Sequence, residues 1–300
     1  RTVTNTSNRL YPRECLVMDL NPTPIFSIEF YPPRTNADES KLNAVHQQLA
    51  KLRPDFFSVT YGAGGSTKQG TKQIVLRYQK FGSSMAPHLS FSGTDQDEIR
   101  ILLAAYKAAG INRLVALRGD SPSDGSAITH HRYASELVEF IRLETGEYFH
   151  IDVACYPEPH PDSKTYESGV GYFKEKIDAG ANSAITQYFY NADAYFYFVE
   201  YCYKAGISIP IVPGIMPITN YANLARFSAK CGAEIPYWLH KRLERFGNDV
   251  AGLREFGIEV VTVMCERLLA GGAPGLHFYS MNLAKSVTQI WTNLALSDRH

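Results

Sequence analysis

The chain has 300 residues, 45% of them apolar and 20% charged, enough to bury a full core without disulfide or metal staples. Thirty basic and thirty acidic side chains cancel, so the composition points away from nucleic acid and from an acidic membrane surface as partners. Five scattered cysteines (Cys15, Cys155, Cys202, Cys231, Cys265) form no CxxC pair, which fits a reduced, cytoplasmic setting, and no apolar run reaches the roughly 18 residues of a membrane span.

Residues 1–23, opening "RTVTNTSNRLYPREC", read as a polar lead-in without the apolar centre of a signal peptide. Beyond it, short apolar runs predict strands at 25–30, 56–60, 85–90, 113–119, 151–156, 183–189, 209–215 and 275–280. Helical spacing fills the gaps. In 95–110, Ile99, Leu102, Leu103, Tyr106 and Ala109 mark one apolar face, with Thr94 as the N-cap and Gly110 as the stop. In 249–270, Leu253, Phe256, Val260, Val263, Met264 and Leu268 do the same. The long gap before the last strand reads as extra helices at 219–231 and 236–270, broken near Gly247. Eight strands alternating with helices, with no linker between them, predict one α/β domain over 24–300: a closed (β/α)8 TIM barrel, with an open doubly wound sheet as the alternative.

The second strand runs into Gly62-Ala63-Gly64-Gly65. A dinucleotide fingerprint would need a third glycine at Thr67 and an acidic residue about 20 positions on; no Asp or Glu occurs from Phe56 to Thr94. A loop at the end of a barrel strand remains, either carrying a ligand or simply turning the chain.

Barrel enzymes place their active sites at the C-terminal strand ends. In order, these ends hold Glu29, Thr60, His88, Arg118 with Asp120, Glu158 with His160, and Gln187. One polar residue there is ordinarily a surface group; six successive units with the same feature point to a site. No lysine lies within a predicted strand, which argues against a Schiff-base aldolase. The first strand has no His-x-His pair, and two strand-end histidines do not close a typical metal site. Acid/base or redox chemistry with a bound organic cofactor survives.

The motifs "FSIEFYPPR" (26–34), "SVTYGAGGST" (58–67), "APHLS" (86–90), "VALRGD" (115–120), "YPEPHP" (156–161), "KIDAGANSAITQYFY" (176–190), "VPGIMPI" (212–218) and "GLHFYSMN" (275–282) resemble, in order, those of the 5,10-methylenetetrahydrofolate reductase family. The resemblance implies a (β/α)8 flavoprotein in which FAD takes a hydride from NAD(P)H and passes it to methylenetetrahydrofolate, the two substrates alternating at one flavin face. It implies that Glu29 is the general acid for the leaving nitrogen; such a group must keep its proton near neutral pH, which burial of a carboxyl favours. Asp120 would stabilise the cationic iminium. Thr60, Tyr61, Ala63, His88, Arg118, Gly119, Asp120, Tyr133, Ala134, Tyr156, His160 and Lys176 match FAD-contacting positions. Thr60, Asp120, Gln187, Asn223 and Phe227 match positions that meet the substrates.

Each role has a plainer counterpart: an ion pair with Arg34 for Glu29, a helix N-cap for Asp120, a buried amide for Gln187, solvated charges for Arg118 and Lys176, and core packing for Phe227. The sequence also departs from the family pattern. Met281-Asn282-Leu283 stands where Leu-Asn-Arg is usual, removing an arginine suited to the folate glutamate tail, with Lys285 nearby. Asn223 replaces a longer Gln, and Gly169 and Tyr172 replace more polar residues. A related flavin barrel acting on another folate or pterin acceptor is the alternative reading, and a barrel kept only for binding is a third. Because the sequence stops soon after the eighth unit, feedback through S-adenosylmethionine is not expected. The tyrosine-rich run 190–203 suits a homo-oligomer interface and a barrel helix equally.

Overall fold

The structure, a computed structural model, describes residues 23–61, 68–91, 94–119, 133–159 and 163–299. Its strands are β1 (Ile25–Phe30), β2 (Phe56–Val59), β3 (Met85–Ser90), β4 (Arg113–Leu117), β5 (His150–Cys155), β6 (Ser183–Thr186), β7 (Ile211–Val212), β8 (Gly214–Ile215) and β9 (Gly275–Tyr279). All pair in parallel, in the order β7-β6-β5-β4-β3-β2-β1-β9-β8. This is the α/β barrel expected from the sequence.

The seventh stave differs from expectation. Residues 209–215 do not form one strand: β7 pairs with β6 and β8 pairs with β9, with Pro213 between them. Proline has no N–H for the ladder, but its carbonyl accepts from His277 N at 2.9 Å, so the interrupted stave still closes the circle. Gly214 is required there, because a Cβ would lie 2.2 Å from Thr186 O and 2.6 Å from the Tyr279 ring. Strands β4 and β6 also end earlier than expected, at Leu117 and Thr186, so Arg118 and Gln187 stand just beyond the ladder.

The strands' period of two divides them between lumen and helices. In β1, Phe26 meets Trp291 edge-on and Phe30 meets Tyr78, both on surrounding helices, while Ser27 and Glu29 reach His277 inside the barrel. Helices α1 (Asn36–Ala50), α2 (Lys68–Lys80), α3 (Gln96–Ala108), α4 (Ala134–Thr145), α5 (Tyr166–Asp178) and α6 (Ala192–Lys204) follow the first six strands. Three more, α7 (Tyr221–Cys231), α8 (Tyr237–Glu244) and α9 (Val250–Ala270), separate β8 from β9, and α10 (Lys285–Asn293) follows β9. The α3 cap is Asp95 rather than Thr94: its carboxylate accepts from Glu98 N at 2.8 Å, while Thr94 N is engaged by Phe91 O.

The N-terminal end of the lumen is closed by charge. Buried Asp152 receives Arg113 Nε and Nη2 at 2.7 and 2.9 Å and Ser183 Oγ at 2.5 Å. The Arg113 guanidinium lies 4.2 Å from the centre of the Phe56 ring. Burial alone would raise the Asp152 carboxyl, but Arg113 and His150 more than offset that and hold it well below the usual carboxylate range. Among the described residues, no helix is long and apolar enough to cross a membrane.

Candidate active site at the C-terminal mouth

Glu29 is the fifth residue of β1, so the pleat that turns Phe30 toward the helices turns its carboxyl inward. Oε2 lies 3.5 Å from His88 Nε2 of β3 and 3.6 Å from His277 Nε2 of β9. Among the described residues, the basic groups within 4 Å of its carboxylate oxygens are therefore two imidazoles, where the sequence offered Arg34 as the plainer partner. Burial pushes the His88 imidazole down from its ordinary value, opposed in part by Glu29, so His88 supplies no fixed cation at neutral pH. Ser27 Oγ and His277 Nδ1 are 2.7 Å apart. Among the described residues, both nitrogens of His88, His277 Nε2 and the hydroxyls of Ser58 and Thr60 are buried without hydrogen-bond partners. Tyr279, beside Glu29, donates to Thr186 O at 2.7 Å, and burial raises its phenol well above the ordinary value.

A cavity of about 390 Å³ opens between the ends of β4 and β5 and the helices α4 and α5. Arg118, Gly119, Tyr133, Ala134, Tyr156 and Lys176 all line it, so the fold gathers six residues that are dispersed over 59 positions of sequence into one wall. Burial pushes the Lys176 ammonium down to about 8, with Arg118 adding to the effect, and Nζ donates to Ala154 O at 2.5 Å. Two cations and the N-terminal end of α4 suit an anion such as a diphosphate. Tyr61, at the end of β2, is buried with its OH 3.1 Å from Thr94 Oγ1. Ala63, Asp120 and His160 lie outside the described residues.

Gln187 follows β6 directly. Its Oε1 accepts from Tyr188 N at 3.0 Å, and its NH2 makes no hydrogen bond among the described residues. The Tyr188 phenol reaches Ser228 Oγ on α7 at 3.0 Å, tying the Gln187 segment to the helix that carries Asn223 and Phe227. Those two are four apart and share a face of α7, but neither lines the cavity by α5. Glu158, a strand-end candidate, instead braces the fold: Oε2 accepts from Glu234 N at 2.7 Å. Among the described residues, no group of three or more His, Cys, Asp or Glu side chains is placed to hold a metal ion.

The family model for methylenetetrahydrofolate reductase matches residues 17–295. The chain belongs to the methylenetetrahydrofolate reductase family. It is 36% identical over 260 residues to 5,10-methylenetetrahydrofolate reductase of Escherichia coli, covering 86% of each chain. It is 37% identical over 287 residues to methylenetetrahydrofolate reductase (NADH) 1 of Arabidopsis thaliana, covering 91% of this chain and 48% of that one. The chain thus spans about half the length of the plant relatives it matches. Among solved structures, it superposes with a TM-score of 0.63 at 18% identity on an uncharacterized protein from Clostridium thermocellum, covering 91% of this chain and 93% of that one. That protein is described as binding two copies of 5-methyl-5,6,7,8-tetrahydrofolic acid.

Within this family member, sequence reading gave no role to His277 or Tyr279. The signal was present: in "GLHFY" they alternate with Leu276 and Phe278, so two polar side chains occupy the inward phase of an otherwise apolar strand.

Proposed function

We propose that the protein is an FAD-dependent reductase that uses NAD(P)H to convert 5,10-methylenetetrahydrofolate to 5-methyltetrahydrofolate, the two substrates alternating at one site. The observation that carries this reading is the Glu29 carboxyl, set at the mouth between two imidazoles, in a barrel whose β4 and β5 ends open on a cavity lined by Arg118 and Lys176. Family membership and the folate described in the C. thermocellum barrel support it, and the names of the plant relatives favour NADH as the donor.

The residues fit the cofactor. Arg118, Gly119, Tyr133, Ala134, Tyr156 and Lys176 would take its diphosphate and adenosine end, and the unpartnered Thr60 hydroxyl and His88 nitrogens its polar chain, with Tyr61, Ala63, Asp120 and His160 completing the set. FAD, when bound, supplies the hydride chemistry between nicotinamide and folate. The chain's own task is then proton transfer and orientation. Glu29 donates a proton to the folate nitrogen that leaves as the imidazolidine ring opens. The Ser27 hydroxyl, 2.7 Å from Nδ1, would hold the His277 ring with Nε2 facing the Glu29 carboxyl at 3.6 Å. Asp120 stabilises the cationic iminium, and Gln187, Asn223, Phe227 and Thr60 orient the substrates.

A related flavin barrel acting on another folate or pterin acceptor is the second reading. It is favoured by Leu283, exposed where the family carries an arginine. An anaerobic visible spectrum separates the two. A flavin band that NADH bleaches and methylenetetrahydrofolate restores is the expected result. A bleached band that this folate fails to restore would favour the second reading, and no flavin binding after reconstitution with FAD would overturn both.

A further inference from the structure

The β1–β9 ladder runs from Ile25↔Gly275 to Glu29↔Tyr279 and stops there. Immediately beyond it, β9 turns through Met281 and Asn282 at φ values of 52° and 54°, two successive residues in the left-handed region that non-glycine residues rarely enter. The turn brings two side chains back onto β1. Ser280 Oγ donates to Glu29 O at 2.6 Å. Asn282 engages both backbone groups of Tyr31, its Oδ1 accepting from Tyr31 N at 3.1 Å and its Nδ2 donating to Tyr31 O at 2.9 Å. Asn282 N in turn donates to Ser280 Oγ at 3.2 Å, and Leu283 N to Ser280 O at 2.9 Å. On the opposite edge of β1, Phe30 O accepts from Thr60 N at 2.9 Å. Along the β9 edge, side chains thus continue the ladder for two residues after its backbone partners have diverged, at the carbonyl of the residue that carries the carboxyl and at Tyr31 beyond it.

We infer that Ser280 and Asn282 are positioning residues for Glu29, fixing the end of β1 so that its carboxyl meets the folate nitrogen. This rests on the reading of Glu29 as proton donor. The strained turn has a local consequence in these terms, because in the left-handed conformation the Asn282 carboxamide meets both backbone groups of Tyr31. Both side chains bond to the backbone of β1 and not to the Glu29 carboxyl, so the nicotinamide step, which needs no proton from Glu29, should be insensitive to them.

The test uses Asn282→Gly in the FAD-loaded protein, since glycine adopts the turn freely and removes only the carboxamide. Reduction by NADH and reoxidation by methylenetetrahydrofolate are followed separately by anaerobic stopped flow, and hydrogen exchange at the Tyr31 amide is measured in parallel. The expected result is reduction within about twofold of the parent, a limiting reoxidation rate lowered by about tenfold or more with folate half-saturation little changed, and faster Tyr31 exchange. Parent-like reoxidation despite faster Tyr31 exchange would overturn the inference, as would equal losses in both steps. A parent protein that methylenetetrahydrofolate cannot reoxidise would overturn the reading of Glu29 itself. Ser280→Ala, which leaves the turn residues in place, repeats the comparison if Asn282→Gly does not fold.

Discussion

At the N-terminal end of the lumen, Asp152 accepts from two nitrogens of Arg113 and from Ser183, with His150 3.8 Å away. At the C-terminal end, Glu29 has two imidazoles at 3.5 and 3.6 Å, and His88, His277, Ser58 and Thr60 bury polar atoms without hydrogen-bond partners among the described residues. Both carboxylates sit inside one barrel, a few residues from opposite ends of their strands. A buried charge whose partners are complete is architecture, because removing either member strands the other. Buried polar atoms left unpaired weaken the fold unless a ligand or ordered water completes them. Under the proposed function, the contrast divides the barrel into an end that serves stability and an end that serves chemistry.

The largest effect that would sharpen this contrast is at the mouth. Glu29→Gln should slow folate-dependent reoxidation by about 10²–10⁴-fold while leaving reduction by NADH near the parent rate, measured by stopped flow. Next comes the N-terminal end: Asp152→Ala strands the Arg113 guanidinium and should cost about 3–5 kcal/mol in urea unfolding, with little change in either half-reaction of the folded fraction. The sign with pH follows from the depressed carboxyl. The stability that Asp152 supplies is complete above about pH 4, the unfolded value, and is lost only as the pH falls through the lower folded value, so parent and variant converge in strong acid alone. The smallest effect is at the cavity. Lys176, lowered to about 8, should lose its proton as the pH rises past that value, so FAD binding should weaken there, while Lys176→Met should bind more weakly at neutral pH with no such slope. Fluorescence titration with FAD across that range reads both.

Most of the barrel was legible because a period of two, interrupted by amphipathic helices, leaves few other folds. The break at Pro213 was not read, because the Val and Ile residues around it continue the apolar pattern while the ladder responds to a missing N–H. The α3 cap was misplaced by one residue because Thr94 and Asp95 are both good caps, and only the backbone of Phe91 decides between them. Glu29, Thr60, His88 and Arg118 were visible as polar residues closing apolar strands. The pairs that give them meaning were not: His277 and Glu29 are 248 positions apart, and Arg113 meets Asp152 only through strand register. Asn282 was read only as part of a motif, since nothing in sequence shows that it grips Tyr31.

The most direct test of the division between the two ends is the urea unfolding free energy of Glu29→Gln. If Glu29 belongs to the chemistry, the variant should unfold within about 1 kcal/mol of the parent, because the amide keeps the shape of the side chain and strands no structural partner. A loss of more than about 2 kcal/mol would mean that Glu29, His88 and His277 form a structural ion cluster like that around Asp152, and the contrast would fail.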